Sequence, residues 1–233
     1  MTISSHVIEI ADDALLLPGV AYVPDIAVAA GMLFVFAHGA GAGQSSPFMC
    51  RYSELLAARG IAVVTFDFAY MAARRKLPDR PPALERAFLA AMAAAAAHTP
   101  SARAIVVGGK SMGGRVATHL AARPERWTGA VPFVGAVAFG YPLAPPGPGG
   151  GDRISHLRHL GVPTLVVQGT RDTFGGPADV RAAVGEVPFL EILPVGTGDH
   201  SLKVLKSGGQ PQAEIDREVV ARVAGWMHRR ASA

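Results

Sequence analysis

Apolar residues in this chain gather in short unbroken runs, separated by stretches in which they recur every three or four positions. Met32–Ala37 and Ile61–Phe66 carry no charged side chain, and residues 103–107, 135–139 and 163–168 are apolar at their centres; a further strand is read at 189–193, across Glu191. Runs of this length predict strands covered on both faces, as in a parallel sheet. Helices are expected between them, at 46–59, 81–98, 115–123, 154–160, 178–184 and 211–229. The helix at 46–59 opens on Ser46-Pro47 and stops at Gly60. The helix at 81–98 sets Leu84, Phe88, Met92 and Ala95 on one stripe, with an alanine run at 93–97 that allows close packing on a sheet. The last helix has Ile215, Val219, Val223 and Trp226 on one face, with acids in its first turn and basic residues at its end, as the helix dipole favours. Two further strands are read at 7–10 and 15–23. Pro18, Gly19 and Pro24 interrupt them, so both are placed at a sheet edge. Residues 69–80 read as a polar, basic loop and 141–152 as a Pro/Gly loop. Strand and helix alternate throughout, which predicts an α/β fold with a mostly parallel central sheet and helices on both faces. Residues 1–233 are read as one domain, with no internal repeat and no dividing linker.

Composition narrows the function classes. Half of the residues are hydrophobic and only 17% are charged, with a formal net charge of +4 and no Lys/Arg block. Nucleic-acid binding is therefore not expected. One cysteine, Cys50, excludes an internal disulfide framework and fits a reducing cytoplasmic setting. No basic leader precedes an apolar run at the N-terminus, and no run approaches a membrane span, so neither a signal peptide nor a membrane anchor is expected.

The chemistry-bearing pattern is Gly109-x-Ser111-x-Gly113. It lies between an apolar run and an amphipathic helical segment, the context of a nucleophile elbow. A serine on so sharp a turn needs neighbours without side chains, because strand and helix crowd together there. Three other polar signals stand at predicted strand ends, where α/β sheets bind ligands: the loop 38–43, Asp172 and His200. The order Ser111, Asp172, His200 supplies a nucleophile, an orienting carboxylate and a general base. Backbone N–H groups of Met112 and of Ala40 or Gly41 are the expected oxyanion hole. Asp179 is the rival acid but falls inside the following helix. His156 and His159 lie too early, on a surface helix. His38 is expected to shape the oxyanion loop, Asp199 to be solvated, and Cys50 to be a helix residue rather than a nucleophile.

Two other nucleotide-type readings fail on spacing. Gly39, Gly41 and Gly43 imitate a dinucleotide-binding loop with Asp67 on the next strand. Gln44 or Ser46 then stands where the third glycine is needed. Gly109-Lys110-Ser111 resembles the end of a P-loop, but the required earlier glycine is Ala104. No metal-ligand spacing is found, so neither metal nor cofactor is expected.

These residues resemble the α/β-hydrolase superfamily. A-H-G-A-G-A-G, F-D-F-x-Y, G-G-K-S-M-G-G-R, Q-G-T-R-D-x-F-G and D-H-S-L-K resemble a smaller, dienelactone-hydrolase-like group. That group includes testis-expressed protein 30 and the hydrolase-like domain of the third subunit of the non-specific lethal complex. The resemblance runs over residues 33–203 and implies an α/β-hydrolase fold with Ser111, Asp172 and His200 as its triad. Dienelactone hydrolases carry cysteine where this chain has Ser111. Cap domains of the superfamily commonly enter before the acid strand; here only the loop 141–152 is available, so no cap is expected. The expected activity is cofactor-free hydrolysis of a small carboxylic ester, or of a thioester or amide, through an acyl-enzyme. The partner is then a small-molecule acyl substrate. Lys110, Arg171 and Arg75 are candidate substrate contacts. The alternative is a hydrolase fold used as a silent binding or scaffold module. Oligomeric state is open.

Overall fold

In the computed structural model, residues 3–13, 15–25, 31–144, 152–205, 207 and 209–231 are described. Their strands are β1 (Ser4–Asp12), β2 (Leu15–Val23), β3 (Met32–Ala37), β4 (Ile61–Phe66), β5 (Ala104–Lys110), β6 (Phe133–Phe139), β7 (Thr164–Gly169) and β8 (Leu190–Val195). The helices are α1 (Pro47–Ala57), α2 (Ala69–Ala72), α3 (Pro81–His98), α4 (Met112–Ala121), α5 (Pro177–Val184) and α6 (Gln212–Ala231). One sheet runs in the order β1-β2-β4-β3-β5-β6-β7-β8. β1, β2 and β4 pair antiparallel in sequence, and every pairing from β4 through β8 is parallel. This is an α/β-hydrolase fold.

The apolar runs behave as expected. β3 and β4 are buried at every residue. Side chains alternate across the sheet, so Leu33, Val35 and Ala37 join one core with α3, α4 and α5. Met32, Phe34 and Phe36 join the other core, with α1 and α6. Burying such a side chain contributes about 1.5–3 kcal/mol, and the central strands do so on both faces. On the α3–α4 side, the buried Glu85 carboxylate is shared by Arg123 and Arg126, so that charge is paired rather than isolated.

Several boundaries differ from the sequence reading. β1 is nine residues long and alone forms that edge; β2 lies inside the sheet, paired with both β1 and β4. Pro18 is tolerated because the β4 ladder begins at Gly19, while the Pro18 carbonyl accepts the N–H of Asp67 just past it. Residues 69–80 contain the short helix α2, and the segment expected as a helix at 154–160 is a 3₁₀ turn, Ser155–His159. β5 runs on through Lys110, so Gly108 and Gly109 are themselves strand residues, while Gly113 lies in α4. Of the loop expected at 141–152, residues 145–151 lie outside the described residues. Among the described residues, no helix is long and apolar enough to cross a membrane.

Candidate active site

β5 ends at the centre of the sheet and turns directly into α4 through Ser111, whose backbone sits at φ 51°, ψ −112°. A non-glycine residue there carries strain of about 1–3 kcal/mol, and persists only where its surroundings hold it. They do. The Ser111 N–H donates to the Phe139 carbonyl at 2.9 Å, and its own carbonyl accepts the N–H of Arg115 at 3.0 Å. The two glycines of the motif have a steric cause. A Cβ on Gly109 would lie 2.3 Å from the Gly113 carbonyl carbon, and one on Gly113 would lie 2.5 Å from the Ala37 oxygen. Gly108 and Gly114 are equally crowded, with backbone oxygens at 2.5 and 2.6 Å from a built Cβ.

Ser111, His200 and Asp172 come together in one hydrogen-bonded chain. His200 Nε2 is 2.9 Å from Ser111 Oγ, and His200 Nδ1 is 2.8 Å from Asp172 Oδ2. A carboxylate can only accept, so Nδ1 carries the proton and the Nε2 lone pair faces the serine hydroxyl. Asp172 is buried, yet both its oxygens are satisfied. Oδ2 also accepts from Gln168 Nε2 at 2.9 Å, and Oδ1 accepts the Phe174 N–H at 2.8 Å. The Phe174 ring packs on the imidazole with centroids 4.3 Å apart. Asp179 instead caps α5 through the Gly176 N–H. Asp199, expected to be solvated, shapes the loop instead. Its Oδ1 accepts the N–H groups of Ser201 and Lys203, closing the turn that presents His200. His156, expected on a surface helix, is half-buried and stacks on His119 at 3.7 Å. Burial and its neighbour His119 pull its pKa down to about 3.

The loop after β3 is held from beneath. His38 is fully buried, hydrogen-bonding the Gly39 carbonyl through Nδ1 and accepting the Phe68 N–H at Nε2. Tyr70 donates its hydroxyl to the Ala40 carbonyl at 2.9 Å. Burial, then Asp67 and Asp79, push that phenol up to about 12, so it remains a donor. Ala40 and Met112 line the same cavity as Ser111; Gly41 is not among its lining residues.

The three expected substrate contacts are engaged elsewhere. Lys110 is buried, and its Nζ donates to the His200 backbone oxygen at 2.5 Å, bracing the histidine loop from below. Burial lowers its pKa to about 8, against the pull of Asp172 and Asp199. Arg171 is exposed and donates to the Thr197 carbonyl, and Arg75 pairs with Asp79. The cavity over Ser111 measures about 330 Å³ and instead exposes Arg115, Arg153, Leu84, Pro142 and Phe174. A larger cleft of 580 Å³, beside Ser201 and Leu205, includes neither Ser111 nor His200 in its lining. The sequence gives no individual role to Gln168, Tyr70, Arg115 or Arg153, although the first three stand inside the motifs that carry the family resemblance. Among the described residues, no cluster of three or more His, Cys, Asp or Glu side chains could hold a metal ion.

A family model for the α/β-hydrolase domain matches residues 30–228. The chain belongs to that family. No curated protein sequence matches it. Among solved structures, a dienelactone hydrolase from Anabaena variabilis is 19% identical, with 99% of each chain covered and a TM-score of 0.73. A lidless α/β serine hydrolase from Xanthomonas campestris is 15% identical, covering 98% of this chain and 94% of its own, at a TM-score of 0.66. Est1E from Butyrivibrio proteoclasticus, solved with ferulic acid bound, is 14% identical over 97% of this chain and 100% of its own, at a TM-score of 0.69. At these identities the likeness is one of fold, shared by α/β hydrolases without a cap domain.

Proposed function

We propose that this α/β-hydrolase domain is a cofactor-free serine hydrolase that cleaves a small carboxylic ester, or a thioester or amide, through an acyl-enzyme. The observation that carries the reading is the unbroken path from Ser111 Oγ through His200 to the buried Asp172, set at a strained turn beside an open cavity. In this mechanism Ser111 Oγ attacks the acyl carbon while His200 Nε2 takes its proton. The carbonyl oxygen becomes an oxyanion, met by the backbone N–H groups of Met112 and of the Ala40–Gly41 loop and by the positive end of α4. His200 then returns the proton to the departing alcohol. Water, activated by the same imidazole, releases the acid and restores Ser111. Asp172 fixes the imidazole tautomer and balances its transient charge. A dienelactone is a cyclic ester, and ferulic acid is a carboxylic acid such as ester cleavage releases, so the names of the dienelactone hydrolase and of Est1E with ferulic acid bound support the reading.

The test is intact mass after exposure to a fluorophosphonate. Wild type should gain a single adduct that Ser111→Ala does not, and Asp172→Asn should lower ester turnover by roughly 10⁴. Folded wild type that gains no adduct overturns the proposal.

A further inference from the structure

The arginines of this chain that contact partly or fully buried acids each have a carboxylate in hand. Arg51 holds Asp216, Arg86 holds Asp12, Arg123 and Arg126 share Glu85, and Arg75 holds Asp79. Arg115 and Arg153 differ. Both line the cavity over Ser111, and neither forms a salt bridge with an acid among the described residues. The chain's 18 acidic residues all lie among the described residues, and residues 145–151, outside them, are proline and glycine alone. The one acid that lines the cavity, Asp79, is already taken up by Arg75 and by the Tyr70 N–H.

Arg153 is also incompletely satisfied. One of its terminal nitrogens donates to the Pro142 carbonyl at 3.2 Å, while its buried Nε has no hydrogen-bond partner among the described residues. Burial, and next the nearby Arg115, lower its pKa, so the two cations lie near enough to repel. Holding them so is costly in isolation and is offset when an anion arrives. A guanidinium matches a carboxylate with two parallel N–H donors.

We propose that Arg115 and Arg153 select an ester that itself bears a carboxylate, which they bind while Ser111 attacks the ester carbonyl. This rests on the serine-hydrolase reading and narrows its substrate class. Arg115 stands one helical turn beyond Ser111, about 6 Å along the α4 axis. A chain of about two to four carbons between carboxylate and scissile carbonyl therefore suits the site. The same anion could sit on the acyl limb or on the alcohol limb of the ester.

The experiment compares two matched pairs. On the acyl limb, mono-4-nitrophenyl glutarate is set against 4-nitrophenyl 5-methylhexanoate, in which an isopropyl group replaces the carboxylate. On the alcohol limb, the butyrate ester of 4-hydroxybenzoate is set against that of 4-isopropylphenol. The readout is the charged-to-neutral ratio of kcat/KM, which cancels any general loss of activity. One pair should give wild type a ratio of about ten to a hundred, as expected for charge-assisted hydrogen bonds. That pair also identifies the limb. Arg115→Met and Arg153→Met should each lower the ratio by about tenfold, and 0.5 M KCl should lower it in wild type without any substitution. Neutral esters preferred in both pairs, or a ratio indifferent to both arginines and to salt, would overturn the proposal. If Ser111 takes up fluorophosphonate while neutral esters are preferred, only this inference falls. If it does not, the hydrolase reading falls with it.

Discussion

Gly109→Ala tests the steric account of the elbow. The added methyl carbon would lie 2.3 Å from the Gly113 carbonyl carbon, 2.6 Å from the Gly114 nitrogen and 2.7 Å from the Ala37 oxygen. All three are backbone atoms, so no rotamer change can relieve them. Ordinary contact begins near 3.4 Å, so the N-terminus of α4 must retreat from β5 by about 1.1 Å. Overpacking of this kind costs about 1–3 kcal/mol. A misplacement of about 1 Å between nucleophile and base costs on the order of 10²-fold in rate. The urea midpoint should therefore fall, and labelling of Ser111 by fluorophosphonate should slow by roughly two orders of magnitude while the protein remains folded. Gly196→Ala is the control. Nothing lies within 4 Å of its built Cβ, so stability should move by no more than about 0.5 kcal/mol. Wild-type stability and labelling in Gly109→Ala would refute the reasoning, because the close approach of strand and helix would then not be what the glycine serves.

The hydrogen bonds around Ser111, His200 and Asp172 give three more tests. Gln168→Leu removes the donor to Asp172 Oδ2 and leaves the Tyr141 N–H without its side-chain acceptor. Urea unfolding should show a loss of about 2–4 kcal/mol, with kcat reduced and KM little changed. Tyr70→Phe frees the Ala40 carbonyl from its hydroxyl donor and should lower kcat by about three- to tenfold, read on a neutral 4-nitrophenyl ester. Lys110 gives a pH signature. Its pKa falls from 10.5 to about 8 on folding, so the unfolded chain holds the extra proton between those values. Stability from this group is therefore greatest above 10.5 and is lost as pH falls toward 8. Lys110→Met should flatten that part of the urea-midpoint profile, and an identical slope in the variant would remove Lys110 as its source.

Much of this architecture is legible because a parallel sheet buries both faces of its strands. β3 and β4 announce themselves as apolar runs with no alternation, and their bounds agree with the sequence reading to the residue. The elbow is legible for a steric reason, since Gly109 and Gly113 are tied to the serine by local backbone crowding. The order of Ser111, Asp172 and His200 is legible because strand ends converge on one rim. What the sequence hides is decided by tertiary approach. Gln168 looks like the last residue of an apolar strand until its amide is seen between Asp172 and the Tyr141 backbone. Arg115 and Arg153 reach one cavity from different elements, and the motif that contains Arg115 does not show that Arg153 joins it there. Lys110, Arg171 and Arg75 show the converse. A cation near a motif in sequence can be spent on a carbonyl or a carboxylate that folding brings to it. The interior position of β2 was hidden by Pro18, whose missing donor falls just beyond the β4 ladder.

The histidine loop is fastened almost wholly by its main chain. Lys110 grips the carbonyl of His200, Asp199 gathers the N–H groups of Ser201 and Lys203, and the Gly198 carbonyl accepts from the Arg171 N–H. Anchors of that sort are indifferent to which side chains the loop carries. Between His200 and Leu205 it is thus the spacing that these anchors fix, since one inserted residue would move every anchored atom out of register. Relatives sharing this clamp should keep its length.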